Sequence, residues 1–303
     1  MHPILFRLLV AVLVTAPVAA QPSSLAASGY RLPSNAFPAA PGQVMMVAVR
    51  GLSLVLAQPA IPTLTAEGFP TEFNGVSVDF VQGAVTAKTP IQLLEQTSCA
   101  SIANCTPATS ILLRIPYELD PASSTRALLR IKERGTVAGE IAIDAVTDNI
   151  HVINTCDKKT RRFVSAALVA EIPAGVCVPA VLNYSSLPPL VTPTTPAKAG
   201  NVLAIYAYGL GAIDPPERLG FRFATQPFTL AFYFTGAAAM PERRITGVPP
   251  AAVVAGDGTY QVNFVMPTIP EGLPACEGPN GYNLTVVVAG QQSAGSAKIC
   301  VSR

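Results

Sequence analysis

The sequence predicts an all-β protein made of two tandem β-sandwich repeats joined by a disulfide-tied, Pro-rich connector. Three observations predict it. Among 303 residues, Pro (29) and Gly (22) are frequent, and they bound apolar runs of strand length, roughly 5–8 residues. Three sequence echoes recur in the same order in the two halves, as duplicated units do. Six cysteines, all downstream of an export-like N-terminus, are spaced as local pairs.

Residues 1–20 read as a secretory signal. Arg7 supplies the positive charge, Leu8 to Val14 the short apolar stretch, and Val18-Ala19-Ala20 the small residues before a cut at Gln21. The apolar stretch falls short of the ~20 residues that cross a bilayer. No later segment is long enough and free enough of Pro and charge, so no transmembrane segment is expected in the mature chain. Residues 21–38 read as a flexible lead-in.

The first repeat is assigned to residues 39–147 and the second to 199–303. Gly42 to Leu52 echoes Gly200 to Leu210: Gly-x-Val, an apolar strand, then Gly-Leu. Ile111 to Pro121 echoes Val262 to Gly272, each a strand closed by Pro116 or Pro267. Leu128 to Ile143 echoes Leu284 to Ile299, each a strand, a polar turn, Ala-Gly and a strand. Several of these strands alternate apolar and polar residues, the pattern of strands with one wet face. About seven strands per ~100 residues suits a sandwich of two sheets. Residues 148–198 are the connector, with Thr160 to Glu171 readable as a short helix or a strand, and a Pro-rich, extended end.

Six cysteines allow fifteen pairings, and proximity favours Cys99–Cys105, Cys156–Cys177 and Cys276–Cys300. Export favours disulfides over metal ligands. The spacings lack the Cys-x-x-Cys of a zinc site, and His151 is the only mature histidine, so no metal is expected.

The quoted segments "APGQVMMVAVRGLSLV", "FNGVSVDF", "IPYELDP", "AGNVLAIYAYGLGAIDPP", "TYQVNFVMPTIPEG" and "LTVVVAGQQSAG" resemble the C-terminal domain of many secreted acidobacterial proteins, the Solibacter type. Its repeats are in turn similar to immunoglobulin-like IPT/TIG modules. The resemblance covers most of residues 36–303 and implies export and an immunoglobulin-like fold, so that the two repeats are expected to be immunoglobulin-like. It carries no catalytic residues. The chain departs from it at the insertion holding Cys99 and Cys105, and at Ser53, where the first copy lacks the second Gly of Gly-Leu-Gly. Asn104, Asn183 and Asn283 head glycosylation tripeptides, which carry little weight in a chain resembling bacterial proteins.

Gly209-Leu210-Gly211 follows a strand, as in a dinucleotide-binding loop, but the third Gly is missing and Pro215-Pro216 blocks the helix that would face a pyrophosphate. A turn glycine with positive φ explains Gly51 and Gly209 without a cofactor, so none is expected. No Gly-x-Ser-x-Gly elbow accompanies His151. The acids, Glu118, Asp120 and Glu140 among them, are scattered. Asp257-Gly258 reads as a tight turn rather than a calcium loop. The runs Lys158 to Arg162 and Arg243-Arg244 are short, and the net charge of +2 gives no nucleic-acid footprint. The aromatics Tyr206, Tyr208, Phe221, Phe223, Phe228, Phe232, Tyr233 and Phe234 are expected mainly in the core.

The expected function is therefore that of a secreted, extracellular or periplasmic, non-catalytic β-sandwich protein in adhesion, scaffolding or ligand binding. Extracellular polysaccharide or a surface protein is the expected partner, with no nucleic acid. The alternatives are a secreted carbohydrate-active or other hydrolytic enzyme, or an envelope structural or assembly component.

Overall fold

The computed structural model describes residues 36–303 apart from 66–67, 98–106, 158–171, 173–175, 188, 215–220, 236–242, 246–251, 255–256 and 278–280. The expected signal, Cys99–Cys105, the Lys158 to Arg162 run, the Thr160 to Glu171 element, Pro215-Pro216 and Asn104 lie outside the described residues. The described chain is all-β, with nineteen strands and no helix.

The first half holds β1 (Phe37–Ala39), β2 (Val44–Arg50), β3 (Glu72–Phe73), β4 (Val76–Gln82), β5 (Val85–Lys88), β6 (Ile91–Gln96), β7 (Ala108–Arg114), β8 (Ala127–Glu133) and β9 (Thr136–Ala145). One sheet runs β1-β9-β8-β4-β3 with β5 also on β4, and a second runs β2-β7-β6. Their facing sides enclose one core. Met45 and Val47 of β2 and Leu113 of β7 meet Phe80 of β4, Leu129 of β8 and Ile141 of β9.

The second half holds β10 (His151–Val152), β11 (Val181–Asn183), β12 (Val202–Tyr208), β13 (Phe221–Phe223), β14 (Thr229–Phe234), β15 (Arg243–Ile245), β16 (Ala252–Val254), β17 (Tyr260–Val265), β18 (Leu284–Ala289) and β19 (Ala294–Ile299). One sheet runs β10-β12-β17-β16-β13 with β11 also on β12, and the other runs β15-β14-β18-β19. Leu203 and Ile205 of β12 and Phe264 of β17 face Phe232 of β14 and Val286 of β18 across the second core.

The strands that carry the sequence echoes pair in the same way in both halves. β2 pairs antiparallel with β7 as β12 does with β17. β8 and β9 form a hairpin beside β4 as β18 and β19 do beside β14. The entry turns agree atom for atom. The side-chain oxygens of Gln43 and Asn201 accept from the N–H groups of Ala40 and Lys198 at 2.8 and 2.7 Å. Gly42 and Gly200 open these turns at φ of 70° and 79°.

Two strands break the expected alternation. All of β2 but Arg50 and all of β12 but Val202 are buried. The reason is a third apolar cluster between the halves, in which Val44, Met46 and Leu112 pack against Ala204, Tyr206 and Tyr208. A strand covered on both faces reads as a continuous apolar run. Gln92 crosses the same junction and donates to the Asp257 carbonyl at 2.9 Å, and the Gly258 backbone lies against Gly42.

Residues 148–198 are more than a spacer: their β10 and β11 both pair with β12 and extend the second unit's sheet. Cys156–Cys177 closes this segment, and Cys276–Cys300 anchors the end of β19. Phe37 and Pro38, read from sequence as the end of the lead-in, belong to β1 and pair in parallel with Ile143 and Asp144 of β9.

Asp79 on β4 is nearly buried between Lys88 at 2.5 Å and Lys132 at 2.6 Å. Burial alone would raise its carboxyl, but the hydrogen bonds and charges of both lysines outweigh it and hold the group below its ordinary value. A depressed folded-state value stabilises at pH above the unfolded value of about 3.9, and the gain is lost as pH falls through the folded one. Asp79→Asn is expected to reduce the acid-side slope of stability measured by denaturant unfolding between about pH 5 and 2. An unchanged slope would sink this assignment.

Candidate functional site

The apolar strand leading into Gly209-Leu210-Gly211 is β12, and its glycines are needed for backbone geometry. Gly209 and Gly211 have φ of 76° and 94°. A Cβ on Gly209 would stand 2.1 Å from the Asn149 carbonyl oxygen, and one on Gly211 2.3 Å from that of Thr147. The Asn149 N–H donates to the Gly209 carbonyl at 2.8 Å, and the Tyr260 hydroxyl donates to that of Gly211. The loop is thus occupied by the protein's own chain.

The other residues considered from sequence lie apart. His151 bonds through Nε2 to Asp157 at 2.8 Å, and its ring stacks on Tyr208. The Asp157 carboxylate also accepts from the Asn154 N–H, so the pair ties β10 to the Asn154–Asp157 turn that contains Cys156. Glu118 and Asp120 are exposed, while Glu140 pairs with Arg130 at 2.7 Å. Asp257 accepts from the Thr259 N–H within a turn. Tyr206, Tyr208, Phe228 and Phe232 are buried, whereas Tyr233 is exposed. Asn183 and Asn283 are each 2% exposed, too enclosed to carry a glycan. Asn283 instead clips the C-terminal segment by donating to the Val301 carbonyl and accepting from its N–H, both at 2.9 Å. Among the described residues no group of three or more His, Cys, Asp or Glu side chains is placed to hold a metal.

A groove that the sequence did not signal lies where the two sheets of the second unit part. It runs between β19 and the connector segments 176–179 and 191–193, with a volume of about 370 Å³. Val152, Val191 and Ile299, all members of the second core, reach its lining. Cys177 borders one wall and Cys300 the other, so both described disulfides brace it.

Local chemistry keeps this groove open. Thr192 and Thr195 exchange backbone hydrogen bonds at 3.3 and 3.1 Å. The Thr195 hydroxyl donates to the Leu190 carbonyl at 2.6 Å. Two residues beyond that turn, Ala197 bridges Val301, just past the end of β19. Lys298 is the one charged residue among the described lining residues. Its ammonium lies 4.6 Å from the centre of the Tyr282 ring and donates to the Tyr282 hydroxyl at 3.1 Å. The volume matches ligand clefts of roughly 300–1,000 Å³. The described lining offers hydrogen-bonding groups, apolar side chains and the Lys298 cation.

No protein-family model matches the chain, and no curated protein is significantly similar to it. Two disulfides are compatible with an extracellular or periplasmic protein. Among the described residues no helix is long and apolar enough to cross a membrane.

Proposed function

We propose that the chain is an exported, non-catalytic binding protein of two immunoglobulin-like repeats, related to the acidobacterial family it resembles, and that it engages an extracellular partner through the groove beside β19. The observation that carries this reading is the groove itself: core residues in its lining, both described disulfides beside it and Lys298 as the one charged residue of its described lining. Such a feature supports adhesion, scaffolding or ligand capture. A braced groove loses little conformational freedom when it is filled, and that preorganisation favours binding.

Ser296 is exposed on β19 and lines the groove. Tryptophan there fills the space without entering the core. Ligands found by screening the purified chain on arrays of extracellular polysaccharides and surface-protein peptides are expected to lose at least tenfold in affinity to Ser296→Trp, with an unchanged unfolding midpoint. Full binding by the variant, or no binding across both arrays, would sink the proposal.

A further inference from the structure

The two halves differ at one strand edge, and the difference leaves a strand position that no described residue fills. In the first half, β1 covers the outer edge of β9: Phe37, Pro38 and Ala39 pair in parallel with Ile143, Asp144 and Ala145. Phe37 is 5% exposed and sits in the first core. The sequence echoes place Thr195 and Ala197 at the positions of Phe37 and Ala39, and Ile299 and Val301 at those of Ile143 and Ala145.

Only part of this pairing survives in the second half. Ala197 bridges Val301 in parallel, and the Ser302 N–H donates to the Ala197 carbonyl at 2.8 Å as the Val146 N–H does to Ala39 at 3.0 Å. Thr195 breaks the correspondence. It turns both backbone groups back to Thr192, and among the described residues nothing takes the place of Phe37 beside Ile299.

The phase of the β18–β19 ladder shows what this leaves exposed. The Gly290 N–H donates to the Ser293 carbonyl. In an antiparallel ladder hydrogen-bonded pairs alternate, so Gly295, Ala297 and Ile299 address β18, and the backbone of Ser296, Lys298 and Cys300 points outward. The Cys300 carbonyl is taken by the Ala197 N–H at 3.0 Å. The Cys300 N–H and both backbone groups of Lys298 and Ser296 have no hydrogen-bond partner among the described residues. These groups border the groove.

We infer that an extended peptide segment of a partner protein adds to β19 in parallel at this vacancy, with a bulky apolar residue opposite Ile299 and a carboxylate just before it. The inference rests on the reading of the groove as a binding site and names its occupant. Backbone hydrogen bonds to an open edge supply affinity, and alternate side chains supply specificity. The position of Phe37 in the first half sets the apolar residue, which points inward over Val191 and Ile299. In parallel register the preceding residue lies beside Lys298, whose ammonium has no carboxylate partner in the groove, and this selects the acid.

The test is selection of a displayed random octapeptide library on the full exported chain, with Lys298→Glu and Lys298→Arg alongside. Hydrogen exchange resolved to single amides is then measured with the best peptide. The expected result is enrichment of an acidic residue followed by a bulky apolar one. Lys298→Arg retains that preference, and Lys298→Glu weakens the selected peptides at least tenfold while enriching basic ones. The Lys298 and Cys300 amides slow on peptide binding. Peptides that bind in the groove and leave both amides unchanged would overturn strand addition while sparing the groove as a binding site. No enrichment over Lys298→Glu would overturn it as well. Dimerisation of the chain alone with both amides protected would assign the edge to a second copy instead.

Discussion

Alanine at Gly209 is expected to cost about 4 kcal/mol of unfolding free energy, a loss reserved for severe backbone or core damage. Alanine at Gly51, the same position in the first half, is expected to cost only about 1 kcal/mol. Both glycines have positive φ, 76° and 84°, and that conformation alone accounts for the smaller figure. The difference comes from what stands nearby. A Cβ on Gly209 meets the Asn149 carbonyl oxygen at 2.1 Å, while one on Gly51 meets nothing within 4 Å. Backbone held by its own hydrogen bonds cannot yield as a flexible side chain does. Urea midpoints of the two variants at constant m-value are the measurement, and equal losses would refute the distinction.

Removing the Asp148 carboxylate is expected to cost about 3 kcal/mol, because buried hydrogen bonds to a charged acceptor are among the stronger polar contacts. Asp148 is 2% exposed and gathers the turn between β18 and β19. It accepts from the N–H groups of Gln291 at 2.7 Å, Gln292 at 3.0 Å and Ser293 at 2.7 Å, and from the Ser293 hydroxyl at 2.6 Å. Gly290 packs so closely against this carboxylate that a Cβ there would lie 2.5 Å from it. Asp148→Ala leaves those donors without their acceptor; Asp148→Asn keeps the shape and is expected to lose roughly half as much. The loss should appear first as faster amide exchange in β18 and β19. A change below about 0.5 kcal/mol, the range of ordinary surface substitutions, would show that the turn holds without it.

Much of the architecture was legible in the residues. Gly42, Gly51, Gly200 and Gly209 mark turns that need positive φ. The alternation Leu284, Val286, Val288 buries one face of β18 as its period of two requires. The pairings Cys156–Cys177 and Cys276–Cys300 follow the short sequence distances. By contrast, the sequence offered Asn283 only as the head of a glycosylation tripeptide and did not single out Asp148. Their roles arise from partners 143–145 and 9–18 positions away, distances at which no local pattern operates.

The site was far less legible. Lys298 and Ser296 are the polar half of an ordinary alternating strand, and nothing in that alternation says whether the strand has a neighbour. At the position matching Phe37, Thr195 instead closes a turn with Thr192. The apolar runs of β2 and β12 pose the same problem in reverse. Their composition announces that both faces are buried, but only folding shows that the second face of each is covered by the other half.

The sequence by itself determined the all-β class, the strands that carry the echoes, the turn glycines Gly51 and Gly209 and two cysteine pairings, because each depends on backbone sterics, on side-chain period or on short loops. Tertiary structure alone decided that the halves share a buried seam, that the Gly209 loop is filled by the chain's own backbone and that no described strand pairs with the outer edge of β19. Those outcomes depend on which distant segment arrives against a surface, and a strand's own residues specify its two faces without specifying what will cover them.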